Sequence, residues 1–177
     1  GLGDVYKRQG LKGPPPVRVR RWGARQHFTA APWSDRVEVW WSEGIEAYIT
    51  PSSESRVEVA FLWDEDVFTP SAKGAKLVTS MLANFPQLHD RLAGALDAPL
   101  SPAAAVGPLA VAAHSASTDR VVLIGDAVGY VDGITGEGIT AGLLQAEAIA
   151  QALPQRLADG RLDADGLRGL GAGVQRI

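Results

Sequence analysis

The sequence has no cysteine and only three histidines among its 177 residues. Without cysteine there is no disulfide, no thiolate ligand for a metal and no cysteine nucleophile. The histidines, His27, His89 and His114, are far apart in the chain. No two of them have the helix-face spacing of a zinc site, so no metal site is predicted.

Strong charge of one sign and long apolar runs are also lacking. The formal net charge is −3, which gives no electrostatic reason to expect nucleic-acid binding. The longest apolar runs are far shorter than the ~20 residues that cross a bilayer, so no transmembrane segment is expected. A cytoplasmic protein that acts on a small molecule is the simplest expectation. Nothing in the sequence indicates an oligomeric state.

Both ends of the chain look artificial. The opening stretch Gly1–Gln9 resembles translated adapter sequence, and it is followed by the run Gly13-Pro14-Pro15-Pro16. Three consecutive prolines exclude a helix and a central strand. Residues 1–16 are therefore interpreted as an artefact or a linker, and the chain as a fragment of a longer protein.

Residues 17–108 carry the signals of an antiparallel sheet with helices. Apolar and polar residues alternate in four segments, which is typical of half-buried strands. The alternating apolar residues are Val17, Val19; Val37, Val39, Trp41; Ile45, Ala47, Ile49; and Val57, Val59, Phe61. The short links at residues 42–44 and 51–55 predict hairpins.

Helical spacing follows the strands. Ala75, Val78, Leu82 and Phe85 share one face of a helix predicted to begin near Ser71. Pro86 then ends that helix and opens a second one, predicted from Gln87 to Leu96. Residues 97–108 are rich in Ala, Pro and Ser, and are expected to form a connection.

Residues 109–177 contain a strand, a glycine-rich loop and a helix. Val121-Val122-Leu123-Ile124 has no polar alternate, which predicts a strand buried on both faces in a parallel sheet. The helix is predicted from Gly136 to Leu153, ended by Pro154. A strand, glycine loop and helix in this order are typical of nucleotide-binding α/β units.

The loop after this strand carries the chemistry. Asp126 directly follows the strand, at the sheet edge where open α/β sheets bind ligands, and its carboxylate can accept hydrogen bonds from sugar hydroxyls. A helix that begins near Gly136 directs unpaired N–H groups and a positive dipole at the same place. Such a helix end stabilises negative charge on a phosphate or a reduced flavin ring.

The stretch Gly125-Asp126-Ala127-Val128-Gly129, followed by Gly136-Glu137-Gly138, resembles the C-terminal flavin motif of the para-hydroxybenzoate hydroxylase-fold flavoproteins. That group includes aromatic monooxygenases, geranylgeranyl reductase-like enzymes and flavin-dependent halogenases. Gly133 stands where the family commonly has proline and Val128 where it commonly has alanine. The form Asp-Gly-Ile-Thr-Gly-Glu-Gly is closer to the reductase-like and dehydrogenase-like members.

The resemblance implies an α/β fold with two parts. Residues 17–108 would form the antiparallel or mixed sheet of the substrate domain, and residues 109–177 the C-terminal part of a Rossmann-like FAD-binding domain. Asp126 would bind the ribityl chain, and Gly125 and Gly129 would allow close approach of the cofactor. The residues expected along the isoalloxazine ring and its loop are Thr135, Gly136, Glu137, Gly138 and Ile139.

The implied activity is that of an FAD-dependent oxidoreductase acting on a small organic substrate, with monooxygenase favoured over reductase and NAD(P)H as a possible electron donor. Arg25 is a weak catalytic candidate, because the family often has a basic residue near the flavin at this position. The interpretation of Arg25 as an ordinary strand arginine is held equal to the catalytic one. Asp132 and Glu137 are more simply a solvated loop carboxylate and a helix-start carboxylate.

Two other interpretations stay open. An NAD-linked Rossmann enzyme would use the same glycine turn and would need an acidic residue at the end of a following strand. A cofactor-free binding module would keep the fold without the chemistry.

The family's opening motif, strand then Gly-x-Gly-x-x-Gly then helix, is not present in these 177 residues. Since that motif holds the pyrophosphate and adenosine of FAD, the isolated chain is expected to bind FAD weakly or not at all and to be inactive by itself. Fluorescence titration of residues 10–177 with FAD measures this, and tight, stoichiometric retention would contradict it.

Overall fold

A computed structural model describes residues 10–14, 20–130, 132–134 and 136–174. The described chain forms two compact units. One comprises residues 20–109, and the other comprises residues 10–14 together with 110–174. The elements are strands and helices mixed along the chain, and the main sheet is antiparallel, so the predicted mixed α/β class is confirmed.

The unit of residues 20–109 is built on a five-stranded sheet of order β2-β3-β4-β1-β5, in which every neighbouring pair is antiparallel. Its strands are β1 (Arg21–Thr29), β2 (Glu38–Ser42), β3 (Ile45–Ser53), β4 (Arg56–Asp64) and β5 (Ala104–Val106). Both predicted hairpins are present, at residues 43–44 and 54–55. The predicted strand positions Val17 and Val19 lie outside the described residues.

Alternation predicted the strand β2 but not which of its faces is buried. Trp40 lies opposite Ala47 and faces the core side, whereas Val39 and Trp41 face the other side and are 42% and 61% exposed. Glu38 lies on the core side and accepts hydrogen bonds from the indole N–H groups of Trp33 and Trp40, each at 3.0 Å. The carboxylate thus satisfies two indoles that are partly buried there.

Two short helices cover the core side of the sheet: α1 (Leu77–Leu82) and α2 (Pro86–Leu92). The predicted start near Ser71 is wrong, because Gly74 adopts a left-handed φ of +60°, which an α-helix cannot contain. Ala75 is therefore exposed in a 3₁₀ turn. The second helix begins at Pro86, one residue before its predicted start, and ends at Leu92, where a 3₁₀ turn around Gly94 replaces its last turn.

The strand β5 was not predicted from the sequence. Residues 97–108 were expected to form a connection without a strand. Ala104–Val106 pairs with Gly23–Arg25 of β1. An Ala-rich segment has little intrinsic strand preference, so the pairing comes from the available edge of β1 rather than from the local sequence.

The core of this unit lies between the sheet and the two helices. Its fully buried large side chains include Phe28, Phe61, Met81 and Leu88. Burying each such side chain stabilises the fold by about 1.5–3 kcal/mol. On the neighbouring strands β1 and β4, Trp22 lies opposite Trp63, and their indoles stack with centroids 6.4 Å apart.

The other unit is assembled from short strand pairs and two helices. The antiparallel pairs are β6 (Val111–Ala112) with β9 (Gly129–Tyr130), and β7 (Ser117–Thr118) with β8 (Val121–Val122). The helices are α3 (Gly138–Ala158) and α4 (Ala164–Val174). The small core consists of Leu11, Ala113, Ala116, Leu123, Val128 and Val174. Leu11 lies in the stretch interpreted as an artefact or a linker, and in the structure it is instead buried, with its carbonyl accepting a 3.0 Å bond from His114 N–H.

The prediction for residues 121–124 is wrong in this unit. Only Val121 and Val122 form a strand, they pair antiparallel with β7, and both are half-buried rather than buried. Among the described residues no parallel neighbour lies beside them. A parallel strand needs partners on its flanks, and the described chain supplies only the β7 hairpin.

The helix α3 runs four residues beyond Pro154, where its end was predicted. Pro154 lacks the backbone N–H that would donate within the helix, yet side-chain hydrogen bonds stabilise the last turn of α3. Arg156 donates to the carbonyl of Gly166 in α4, and Gln155 Nε2 donates to Asp159 Oδ1 at 2.9 Å. The helix α4 was not predicted at all. No described helix is both long and apolar enough to cross a membrane.

Gly107→Ala should destabilise the unit of residues 20–109 by about 1–3 kcal/mol, because a Cβ there would overlap ring atoms of Trp22. Gly94→Ala is the matched control, since a Cβ at that position meets open space. All five tryptophans lie in this unit, so tryptophan fluorescence during urea unfolding reports its stability. Equal midpoints for the two variants would show that the Gly107 contact is not tight.

Candidate functional site: the glycine loop at the start of helix α3

Asp126 is held in a tight turn between two buried anchors. Leu123 and Val128 belong to the core, and Val128 N–H donates to the Gly125 carbonyl at 3.0 Å. Gly125 adopts a φ of +56°, a left-handed conformation that side chains with a Cβ rarely take. The turn therefore fixes the backbone and leaves the Asp126 side chain exposed.

The Asp126 carboxylate lies beside the first turn of α3. A Cβ built on Gly138 would be 3.4 Å from Asp126 Oδ1. The carboxylate makes no hydrogen bond or ion pair with any described residue. The N-terminal end of a helix carries partial positive charge, so a carboxylate beside it lies in a favourable electrostatic position. Asp126 is thus an oriented, exposed hydrogen-bond acceptor.

The start of α3 is open as well. Gly136 has a φ of +68°, and Glu137, at the N-cap position, makes no side-chain capping bond. The first N–H groups of an α-helix have no partners within the helix, so at this end they can serve a ligand. Gly138 is exposed and Ile139 is 81% exposed. The predicted site residue Thr135 lies outside the described residues.

One residue that the sequence did not reveal, Gln145, ties the turn to the helix. It is buried at 7% exposure. Its Oε1 accepts a 2.6 Å bond from Gly125 N–H, and its Nε2 donates to the Val174 carbonyl in α4 at 3.1 Å. Beside this bond, a Cβ on Gly142 would lie 3.6 Å from Gly125 Cα. The only available signal was a polar side chain on the inner face of an apolar helix.

The remaining predicted loop residues have local structural roles. Gly129 pairs with Ala112 in the β6–β9 ladder. Asp132 Oδ1 accepts a 3.1 Å bond from Ile134 N–H, a local turn of the kind that aspartate favours. Glu137 is exposed. The structure therefore brings Gly125, Asp126 and the start of α3 together. Gly129, Asp132 and Glu137 are not part of that group.

Arg25 belongs to the other unit, on β1. Its Nη1 is 2.8 Å from Glu58 Oε2, and the same oxygen is 3.1 Å from His27 Nε2. The Arg25 side chain is 57% exposed, so this ion pair is screened by water and contributes little stability. The arrangement is that of an ordinary cross-strand pair and gives Arg25 no distinguishing environment.

Two other features of the described residues were tested as sites. No group of three or more His, Asp or Glu side chains could hold a metal among them. A shallow depression is lined by Trp33, Glu38 and Ile49, among others, and Arg91 stacks over Trp33 with its Cζ 5.0 Å from the ring centroid. The indole is already engaged by Arg91 and Glu38, which makes its role structural.

Gln145→Leu should destabilise the unit containing α3 by about 1–3 kcal/mol, because the N–H of Gly125 and the carbonyl of Val174 would lose their partner. Gln151→Leu, at an exposed position of the same helix, is the control. Hydrogen exchange measured by mass spectrometry over residues 121–130 should accelerate in the first variant only. Unchanged exchange would show that Gln145 does not hold the turn.

No protein-family model matches the chain, and no curated protein sequence matches it significantly. Solved structures do match. CmlS, a flavin-dependent halogenase, matches with a TM-score of 0.70 and 18% identity over 97% of this chain and 31% of its own.

Two further matches have the same character. A flavoprotein/dehydrogenase from Cytophaga hutchinsonii matches with a TM-score of 0.75 and 18% identity over 89% of this chain and 39% of its own. Halogenase PltM matches with a TM-score of 0.78 and 10% identity over 95% of this chain and 38% of its own. The chain thus spans less than half the length of each protein. The resemblance found in the sequence is confirmed at the level of the fold: the chain has the fold of a part of the flavin-dependent halogenases and related flavoproteins.

Proposed function

We propose that the chain is part of an FAD-dependent oxidoreductase and that the glycine loop holds the flavin end of the cofactor. The observation that carries the proposal is the Asp126 carboxylate, exposed, without a partner among the described residues and fixed beside the open first turn of α3. An acceptor next to helix N–H donors matches a ligand that has sugar hydroxyls at one end and a polar ring at the other.

The residues present fit that group. Gly125 and Gly136 hold left-handed backbone conformations, and Gly138 has no side chain between the Asp126 carboxylate and the helix. A flat ring can therefore approach the main chain without meeting a Cβ. Asp126 would hold the ribityl hydroxyls, and the backbone N–H groups from Gly136 to Ile139 would face the polar edge of the ring.

FAD, when bound, supplies the hydride and electron transfer, and the protein supplies binding, orientation and electrostatics. This chain's contribution is electrostatic. The positive end of α3 favours negative charge on whatever group lies there, by about 0.3–1 kcal/mol at an exposed helix end and more when water is excluded. Asp126 fixes the position of that group through hydrogen bonds to its hydroxyls.

Monooxygenase stays the proposed subtype, and the flavin-dependent halogenases among the fold neighbours support FAD-dependent chemistry of that general kind. A solved structure of halogenase PltM contains phloroglucinol together with FAD, and the other neighbours are flavoproteins by name. A small organic substrate and NAD(P)H as the electron donor are part of the proposal. The activity would belong to the longer protein, since the chain spans 31–39% of the length of these neighbours.

The NAD-linked alternative is less favoured. It needs an acidic residue at the end of a strand that follows the helix. In the described residues after α3, the chain forms the helix α4 and no strand. A cofactor-free module is the remaining alternative, and flavin binding distinguishes it from the proposed FAD-dependent oxidoreductase.

The chain should bind FMN measurably and AMP not at all, because its residues address the flavin half of FAD. Asp126→Asn should weaken FMN binding about tenfold, which corresponds to ~1.4 kcal/mol and is the size expected for a hydrogen bond to a charged group. Glu147→Gln, an exposed carboxylate elsewhere on α3, is the control. Flavin fluorescence and NMR line broadening measure both ligands.

Three outcomes are informative. FMN binding that depends on Asp126 supports the proposal. Equal binding of FMN and AMP would indicate a generic phosphate site at the helix start. No detectable FMN binding at millimolar concentration would favour the cofactor-free module.

A further inference from the structure

We infer that the outer edge of the strand β2 is a self-association surface, on which a second copy of this chain adds its own β2 in antiparallel orientation. β2 is an edge strand of the five-stranded sheet, so no other described strand covers its outer side. The occupant is a second copy, because the edge is complementary to itself in its backbone groups, its side chains and its charges. The inference goes beyond the proposed function and does not depend on flavin binding.

The backbone of β2 directs one set of hydrogen-bonding groups away from the sheet. Ser42 and Ile45 are paired across a two-residue turn, so these two residues exchange hydrogen bonds. Bonded positions alternate along an antiparallel ladder, so Val39 and Trp41 turn their N–H and C=O groups to the outer edge, as does Val37 directly before the strand. In the described part of the chain these outer groups have no backbone partner. They are free to pair with an added strand.

The side chains at the same three positions are apolar and exposed. Val37, Val39 and Trp41 are 54%, 42% and 61% exposed, and the two strand residues lie on the face away from the core. When Val39 lies on the two-fold axis, opposite Val39 of the second copy, Val37 of each copy lies opposite Trp41 of the other. Aromatic and β-branched residues are favourable partners across antiparallel strands. In this register each exposed apolar residue gains an apolar neighbour.

The charged residues favour this register over its neighbours. A shift of the axis to the preceding residue would place Glu38 opposite Glu38 of the second copy, and like charges directly opposite one another are unfavourable. A shift to the following residue would place Val37 opposite the exposed Glu43. With the axis at Val39, Arg36 before each strand comes close to Glu43 after the other strand. Opposite charges therefore meet at both ends of the joined strands.

The other edge strand of the sheet, β5, is protected against such pairing. It has three residues and lies between Pro102 and Pro108, and proline lacks the N–H that an added strand needs. β2 contains neither proline nor lysine, and its ladder to β3 runs over five residues without a bulge. Proline, lysine and bulges are devices by which natural edge strands resist pairing, so β2 is the edge that remains open to a second copy.

A single introduced cysteine reports the register, because the sequence contains none. Val39→Cys should give a disulfide-linked dimer of the full chain on mild oxidation, since residues of a hydrogen-bonded antiparallel pair have Cα atoms about 5.5 Å apart, within reach of a disulfide. Trp41→Cys should cross-link about tenfold more slowly, because the two positions would lie about 14 Å apart along the strands. Val106→Cys, on β5, is the matched control. Gel electrophoresis without reductant measures the rates.

Sedimentation equilibrium of the unmodified chain, from micromolar to millimolar concentration, should show a monomer and a dimer. Val39→Lys should weaken the dimer about tenfold, because it places two ammonium groups opposite each other at the axis. Val106→Lys adds the same charge to an exposed valine of the other edge strand and should leave the dimer unchanged. Since Val39 is exposed in the single chain, Val39→Lys should not alter the circular dichroism or thermal transition of the dilute protein. This separates a defect of association from a defect of folding.

A chain that stays monomeric at millimolar concentration would overturn the inference. A dimer that responds equally to Val39→Lys and Val106→Lys would be formed through another surface and would overturn it as well. Cross-linking of Trp41→Cys as fast as that of Val39→Cys would contradict the ladder centred on Val39. Association that Val39→Lys weakens, together with rapid cross-linking of Val39→Cys, would establish β2 as the interface.

Discussion

The two hydrogen bonds of Gln145 are the constraint on which the candidate site depends. One ties the N–H of Gly125 to α3 and the other ties α3 to the end of α4, and both are made by a buried amide. A buried amide is costly unless its groups are paired, so the turn, the long helix and the last helix are fixed as a set. The left-handed conformation of Gly125 and its contact with Gly142 follow from that arrangement. The Asp126 side chain is placed by its neighbours, since it makes no hydrogen bond to another residue in the described part of the chain.

The large sheet was predictable from the sequence because its information is local. Period-two alternation predicted β3 and β4, whose alternate apolar residues are buried, and the two hairpin links were short. It did not predict β1, and it did not predict that Glu46 of β3 is buried. Alternation did not predict which face of β2 is buried. Glu38 lies on the core side, where its carboxylate accepts hydrogen bonds from two indole N–H groups, and Val39 lies on the other side. Alternation could not find β5, since Ala104–Val106 is a strand only through pairing with β1. The failures at β2 and β5 come from tertiary contacts, which a local pattern does not contain.

The candidate site was predictable to a similar degree and for a similar reason. The order strand, glycine turn and helix is a local pattern, and it directed Asp126 and the helix start at one ligand. In the structure a Cβ built on Gly138 would lie 3.4 Å from Asp126 Oδ1. Gln145 was not predictable, because nothing local separates a glutamine facing solvent from one that bonds to a turn twenty residues earlier. The end of α3 was misplaced because the side chains of Gln155 and Arg156 hold the turn that Pro154 weakens. Whether Asp126 binds a flavin stays a prediction.

The error at Val121–Ile124 has a different origin. The pattern there is typical of a strand in the middle of a parallel sheet, and the structure gives the same residues a two-residue antiparallel ladder. The apolar side of α3 shows the same disagreement, since apolar residues of a helix are expected to be buried and Leu143 is 67% exposed. Sequence patterns report the environment in which residues were selected, whereas the structure reports the contacts that this chain supplies. Where the two disagree, as at Val121–Ile124, the residues carry a pattern whose partner strands the described part of the chain does not supply.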